Sequence, residues 1–442
     1  MTTDLYRAFW RWHFYAGLLA LPFLAWLAVT GGLYLFKPEI ERAVYGSWIT
    51  LAAPRDALPP SRLIAAAERQ SGGQVTQVEL PASGAESWRL RVQVGDQART
   101  AFVDPGTGAV LGTAAAAGVM KTVRDLHSLA ITGPLGNALI EIAAGWAIVL
   151  VVTGVILWWP RGRNPALALR GPPRKRRFWR DLHAGTGILA GALILFLAVT
   201  GMPWSMFWGA QAQQLVDSKG LGRPAPPGSS WAGQAGSIAE GHDHGVAAQR
   251  DSLPWAMQAS ALPAVRAGTD IGVDRAAALA RSHGMDAPMI IGLPGESGRP
   301  YSFSRVNQRA EDARVLYLEP SSGRVLQDAP FSRFGGGAQV IEWGIATHQG
   351  EEYGSANRWI MLAGCLALML LCVSAPVLWW KRRVKGKVAL PPLPRDSRSG
   401  VVATVAAGLI GLLYPLTGCT MLVALLVDRA LVGRSRRQMV TQ

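Results

Sequence analysis

Cysteine is nearly absent from this chain. Its three residues in 442, Cys365, Cys372 and Cys419, all fall within apolar runs and none lies in the long polar loops. That excludes a disulfide framework and any CxxC metal or redox motif. Charge is sparse as well, at 17% of residues, and acidic side chains are the rarer sign, 29 against 44 basic. The apolar runs carry almost no charge except at their ends, which argues against a transporter built on intramembrane ionisable groups. The short loops between the runs contain neither GxGxxG nor a P-loop pattern, so they offer no domain of their own for NAD(P)H or flavin.

What the chain has in quantity is apolar sequence, half of all residues, together with 17 tryptophans. The apolar residues sit in five blocks, 14–36, 137–159, 184–206, 357–380 and 401–427, each long enough for the roughly 20 helical residues that cross a hydrocarbon layer. The first is too long for a secretory leader and shows no small-x-small cleavage site before Phe36-Lys37-Pro38-Glu39, so it reads as a retained anchor. The formal charge of +15 raises nucleic acid as a partner. Its positive residues instead flank the spans, in PRGRNPALALRGPPRKRRFWR and KRRVKGKVALPPLPRDSR, short loops that belong on the cytoplasmic side. This implies a lipid bilayer and no nucleic acid, a cytoplasmic N-terminus and two long outer loops.

The chain repeats itself. Phe9 to Gly32 reads FWRWHFYAGLLALPFLAWLAVTGG and Phe178 to Gly201 reads FWRDLHAGTGILAGALILFLAVTG. His13 and His183 each precede a glycine, Gly17 or Gly187, by four residues and a Leu-Ala-Val-Thr-Gly run by fourteen. Further on, His127 precedes Trp158-Trp159 by 31 residues, as His348 precedes Trp379-Trp380. Between these landmarks the first outer segment predicts a helix at Ser61 to Gln70 and strands at Gln77 to Leu80, Trp88 to Val94 and Arg99 to Val103. The second predicts a helix at Asp274 to His283 and strands at Met289 to Gly292, Tyr301 to Arg305 and Arg314 to Leu318. The run Leu316-Tyr-Leu-Glu-Pro matches Ala101-Phe-Val-Asp-Pro position by position.

The fold class expected is therefore an α-helical integral membrane bundle, four core spans from an internal duplication plus a C-terminal span, carrying two outer α+β domains. The first span covers 9–36 and the first outer domain 37–126. An approach segment and second span cover 127–160, a basic loop 161–182, and the third span 183–206. A linker and second outer domain cover 207–347, an approach and fourth span 348–381, and a second basic loop 382–399. The block at 400–430, with Pro415 and Gly418 inside it, is either a fifth span or a re-entrant hairpin. A single helix from His127 to Trp158 would be about 46 Å long, so Gly133-Pro134-Leu135-Gly136 should break it.

Four histidines at matched positions are the candidate ligands. Imidazole suits zinc, copper and iron, but zinc would want a carboxylate or thiolate beside them, or three on one centre. Pairs on facing helices, with Gly17, Gly187 and Gly145 leaving room for a flat ring, suit a b-type heme. A pseudo-twofold axis along the membrane normal sets His13 opposite His183 near the inside and His127 opposite His348 near the outside. Two hemes would then form an electron relay. Spacing leaves open whether each iron takes two histidines or one and a free position. Arg11, Arg180 and Arg124 lie near the ligands as candidate partners of heme propionates. His242 and His244 form a possible surface metal pair in a linker-like stretch, and His283 reads as a surface or packing residue.

The His-x3-Gly spans with Val-Thr-Gly, the Asp104-Pro-x-x-Gly108 and Glu319-Pro-x-x-Gly323 turns, Leu126-His127 leading to Thr153-Gly154 and Trp158-Trp159-Pro160, and Pro415-Leu-Thr-Gly418 to Asp428-Arg429 together resemble the PepSY-associated transmembrane family. In the fourth span Ser374-Ala375-Pro376 replaces the Thr-Gly of its counterpart. The resemblance implies PepSY-like outer domains, a location in the inner membrane of Gram-negative bacteria, and a heme-containing oxidoreductase that reduces ferric siderophore in the periplasm and releases Fe(II). Electrons would come from a quinol or a separate donor protein, and the chelate would dock between the outer domains. The alternative is a periplasmic binding or regulatory module on a membrane scaffold with no redox role.

Overall fold

The structure is a computed structural model and describes residues 3–116, 118–159, 167–219, 221–222, 253–258, 262–295, 299–305, 309–383, 391–392 and 397–440. His242 and His244 lie outside the described residues.

Among the described residues, four helices are long and apolar enough to cross a membrane: Thr3–Tyr34, Pro134–Trp158, Arg176–Trp204 and Gly354–Arg382. The first and third begin well before the apolar sequence does, because their amphipathic starts, with Arg11 and Arg180, continue the same helical ladder beyond the lipid-facing stretch. The helices form a ring in which the first touches the second and fourth and the third touches the same two, so the first and third oppose each other across it. Large apolar side chains such as Leu18, Leu189 and Leu366 are exposed on the outside of the ring, where a bilayer and not water is the solvent.

The expected break ahead of the second span is present. A helix Gly118–His127 ends at the histidine, a 3-10 turn covers Ala130–Thr132, and the span restarts at Pro134. Gly133, at φ 80°, makes the corner that a side chain would oppose. Several helices, among them Lys37–Ile49, Met206–Ser218 and Gly336–His348, have no counterpart in the sequence reading. Lys37–Ile49 follows the first span directly and ties bundle to sheet, with Tyr45 and Trp48 packed on Phe102. Gly112 leaves the space that Trp48 fills, since a Cβ there would sit 2.2 Å from the indole.

The two outer segments are not separate domains. Strands β1 Gln74–Leu80, β2 Trp88–Val94, β3 Gln97–Val103 and β4 Val110–Ala115 come from the first, and β5 Met289–Gly292, β6 Tyr301–Arg305, β7 Arg314–Leu318 and β8 Val325–Pro330 from the second. They form one antiparallel sheet in the order β4-β3-β2-β1-β5-β6-β7-β8. The join is β1 on β5, with Gln77 opposite Gly292 and Leu80 opposite Met289. Each four-stranded unit would otherwise leave its first strand as an open edge, a costly row of unpaired backbone groups that the pairing removes. Leu63, Val78 and Leu90 share a single core with Ala276, Ile291 and Phe303, all fully buried. Full burial of a side chain such as Phe303 contributes about 2 kcal/mol. At the helix starts, Asp274 accepts hydrogen bonds from the Ser61 backbone N–H at 2.8 Å and its hydroxyl at 2.5 Å. Among the described residues, paired strands and a shared core occupy the place between the two outer units where a chelate was expected to dock.

The C-terminal block is broken where sequence places Pro415. Helices Ser397–Leu413 and Pro415–Val440 fold back on each other, and a Cβ on Gly418 would meet the Gly411 carbonyl oxygen at 2.5 Å. Seven residues apart in one continuous helix, these two would be separated by about 10 Å along the axis. At the basic-loop end of the first span Arg11 donates to the Pro391 carbonyl, ahead of the hairpin, and to Asp428 in the hairpin's second helix.

Candidate functional site

Each of the four histidines is held by a hydroxyl from a neighbouring span. The Nδ1 of His13, in the first span, lies 2.9 Å from Thr153 Oγ1 in the second. His127, just ahead of the second span, lies 2.9 Å from Thr30 Oγ1 in the first. The other half repeats the exchange, His183 with Ser374 at 2.8 Å and His348 with Thr200 at 2.9 Å. Against the rings stand residues without side chains: a Cβ on Gly154 would be 3.3 Å from His13 Cε1, on Gly31 3.2 Å from His127 Cε1, and on Gly201 3.5 Å from His348 Cε1. At the fourth position Ala375 follows Ser374.

The two sets occupy opposite ends of the bundle. His13 and Thr30 are 17 residues apart on one helix, about 26 Å at 1.5 Å per residue. His127 and His348 are at the sheet end, His13 and His183 at the basic-loop end. Burial pushes the His127 and His348 imidazoles down to about 4, and the charge of His127 adds to the effect at His348. Both are therefore neutral at neutral pH, the form that binds a metal.

His13 and His183 face each other across the ring with centroids 6.3 Å apart and planes at 89°. Two imidazoles sharing one metal at about 2.0–2.1 Å per bond, each ring centre lying about 1.1 Å behind its nitrogen, have centres about 6.3 Å apart. The ring-centre distance of the pair equals that of two imidazoles placed in line on one metal. The rings of His13 and His183 keep some accessible surface, and along the third helix, Arg176–Gly201, Gly191 and Ile194 are the buried residues. Among the described residues no group of three or more His, Cys, Asp or Glu gathers, so the ligand sets on offer are pairs. Two facing imidazoles in an apolar helical bundle are residues that could hold a b-type heme.

The arginines have other partners. Arg11 is spent on the hairpin: it hydrogen-bonds Asp428, the Pro391 carbonyl and, at 2.9 Å, Tyr15. Arg180 pairs with Asp181 at 2.7 Å, which also holds Arg170. Arg124 is half exposed and 4.0 Å from Asp125. The glycines also divide differently from the expectation. Gly145 makes room for Thr417 of the hairpin, whose Oγ1 would lie 2.0 Å from a Cβ there, while Gly17 and Gly187 face Leu150 and Leu371 at 3.9 and 3.8 Å. His283 is exposed at a helix end, as its sequence context suggested.

Thr30, Thr153, Thr200 and Ser374 are the residues that sequence reasoning left unused. Their signal was spacing. Thr30 follows His13 by 17 residues as Thr200 follows His183, and Thr153 follows His127 by 26 as Ser374 follows His348.

A family model described as the PepSY-associated TM region matches residues 10–382. Comparison with curated proteins finds no match.

Proposed function

The chain belongs to the family of PepSY-associated transmembrane proteins, and on that premise we propose that it is a di-heme b-type oxidoreductase of the bacterial inner membrane. In this reading His13 and His183 hold one heme near the cytoplasm, and His127 and His348 hold the other near the periplasm. The protein takes electrons from a quinol or a cytoplasmic donor protein and reduces ferric siderophore in the periplasm, releasing Fe(II). The observation that carries it is the 6.3 Å facing pair His13 and His183, with each Nδ1 tied to a hydroxyl.

A b-type heme in each pair would supply one-electron transfer at that end of the bundle. The chain's own residues hold the imidazoles neutral and oriented, and the apolar spans keep water from them. The eight-stranded sheet stands over the periplasmic end, where the Fe(III) chelate accepts one electron. The basic loops set the cytoplasmic side by the positive-inside tendency. They contain no nucleotide-binding motif, which leaves quinol or a separate protein as the donor.

A second reading takes the sheet as the working part, a periplasmic binding or regulatory module. It is favoured by the fusion of both outer segments into one sheet with one core. Visible spectra of the detergent-purified protein, oxidised and dithionite-reduced, separate the two. Reduced low-spin b-heme bands, followed by quinol-dependent reduction of a ferric siderophore in proteoliposomes, are the expected result. A colourless protein that takes up no added heme would overturn the oxidoreductase and leave the binding module.

A further inference from the structure

The four hydroxyls do more than fill space beside the rings. Thr153 Oγ1 donates its own hydrogen to the Val149 carbonyl at 2.6 Å, Thr30 to Trp26 at 2.7 Å and Thr200 to Phe196 at 2.7 Å. In all three the acceptor is the carbonyl four residues back along the same helix, the usual way a mid-helix threonine satisfies its hydroxyl. With that hydrogen committed, the oxygen has only lone pairs to offer the histidine. Each imidazole must therefore carry its proton on Nδ1 and present a bare Nε2. The bond made by one ring nitrogen thus decides which of the two is free for a metal.

Ser374 performs the same task less firmly. Its hydroxyl reaches the Leu371 carbonyl, three residues back, at 3.2 Å, and it lacks the methyl branch that stiffens a threonine rotamer.

We infer that Thr30, Thr153, Thr200 and Ser374 are positioning residues that set the tautomer and donor strength of the four histidines, with Ser374 the weakest of the set. This rests on the heme reading above. A histidine that donates from Nδ1 to an oxygen is a more basic ligand at Nε2. It stabilises the ferric state and lowers the reduction potential. Removing the hydroxyl raises that potential.

The test uses the full-length protein in detergent, wild type against Thr30→Val, Thr153→Val, Thr200→Val and Ser374→Ala, with Thr153→Ser as the rescue. Heme-to-protein ratio and potentiometric titration are read on each. At a fixed potential the ferrous-to-ferric ratio of one component should rise about tenfold in each valine variant, which is about 59 mV for one electron. Ser374→Ala should give a smaller rise, and Thr153→Ser, which keeps the hydroxyl but loses the stiffening methyl, should shift by only a small part of the Thr153→Val change. Loss of heme from the valine variants alone, with Thr153→Ser fully loaded, supports the same assignment. Valine variants with full heme and unchanged potentials overturn it, as does Thr153→Ser shifting as far as Thr153→Val. A wild type without heme overturns the function beneath it, a distinct result.

Discussion

The imidazoles of His13 and His183 meet edge to face across the bundle, their planes at 89° and their centres 6.3 Å apart. If both ligate one iron, His13→Ala and His183→Ala remove the same spectral component, while His127→Ala and His348→Ala remove the other. Perpendicular axial rings also give a ferric low-spin centre its most anisotropic EPR signal. That signal should vanish in the His13 and His183 variants and survive in His127→Ala. Four variants each removing a separate fraction would refute the pairing.

The hairpin depends on the contact between Arg11 and Asp428. Arg11 is 7% exposed, so Asp428→Ala strands a guanidinium with only Tyr15 and a carbonyl to answer it. Breaking a pair of this burial by removing one partner costs about 3 kcal/mol. The thermal midpoint in detergent should fall for Asp428→Ala. The double variant Arg11→Ala/Asp428→Ala should lose less than the sum of the single losses, because the stranded charge is gone.

Two helical glycines offer a contrast. A Cβ on Gly31 would press on the His127 ring at 3.2 Å, whereas nothing lies within 4 Å of one on Gly46. Gly31→Val should lower heme content at the sheet end. Gly46→Ala should leave heme content unchanged and gain up to about 1 kcal/mol from helix propensity alone. Absorbance and thermal unfolding read both.

Glu342 brings a pH dependence. It is 6% exposed and accepts the Ala256 N–H at 2.8 Å, and burial pushes its carboxyl up from 4.5 to about 7. Between those values the folded protein keeps a proton that the unfolded chain has released, so stability is greatest at the acid end and is lost as pH rises through the window. Glu342→Gln should flatten this part of the curve of thermal midpoint against pH. A slope unchanged by the substitution would contradict it.

The two outer units show where local pattern stops being informative. Alternation in Trp88 to Val94 and Arg99 to Val103 marks strands because period-two burial is a property of the strand itself. Nothing in β1 or β5 alone says that they pair with each other. An edge strand looks the same in sequence whether its neighbour is solvent or another strand, so two domains were expected where one sheet exists.

The hydroxyl ligation of the histidines is a similar case. Four matched histidines were legible because identical spacing in two halves is a one-dimensional fact. Thr30 and Thr153 carried the same spacing, but a mid-span threonine bonded to its own helix is commonplace in sequence. Only the packing of the first span against the second turns its lone pairs toward a ring.

From sequence alone came the membrane character, the positions of the four long spans, three of the four strands of each outer unit and the four candidate ligands, all properties of composition and period along the chain; the last strand of each unit, Val110–Ala115 and Val325–Pro330, was not anticipated. Tertiary structure decided which residues meet: His13 with His183, Arg11 with Asp428, Gly145 with Thr417, and β1 with β5. Those pairings join positions separated by more than a hundred residues, and distances of that kind are set by how helices and strands pack, which no local periodicity encodes.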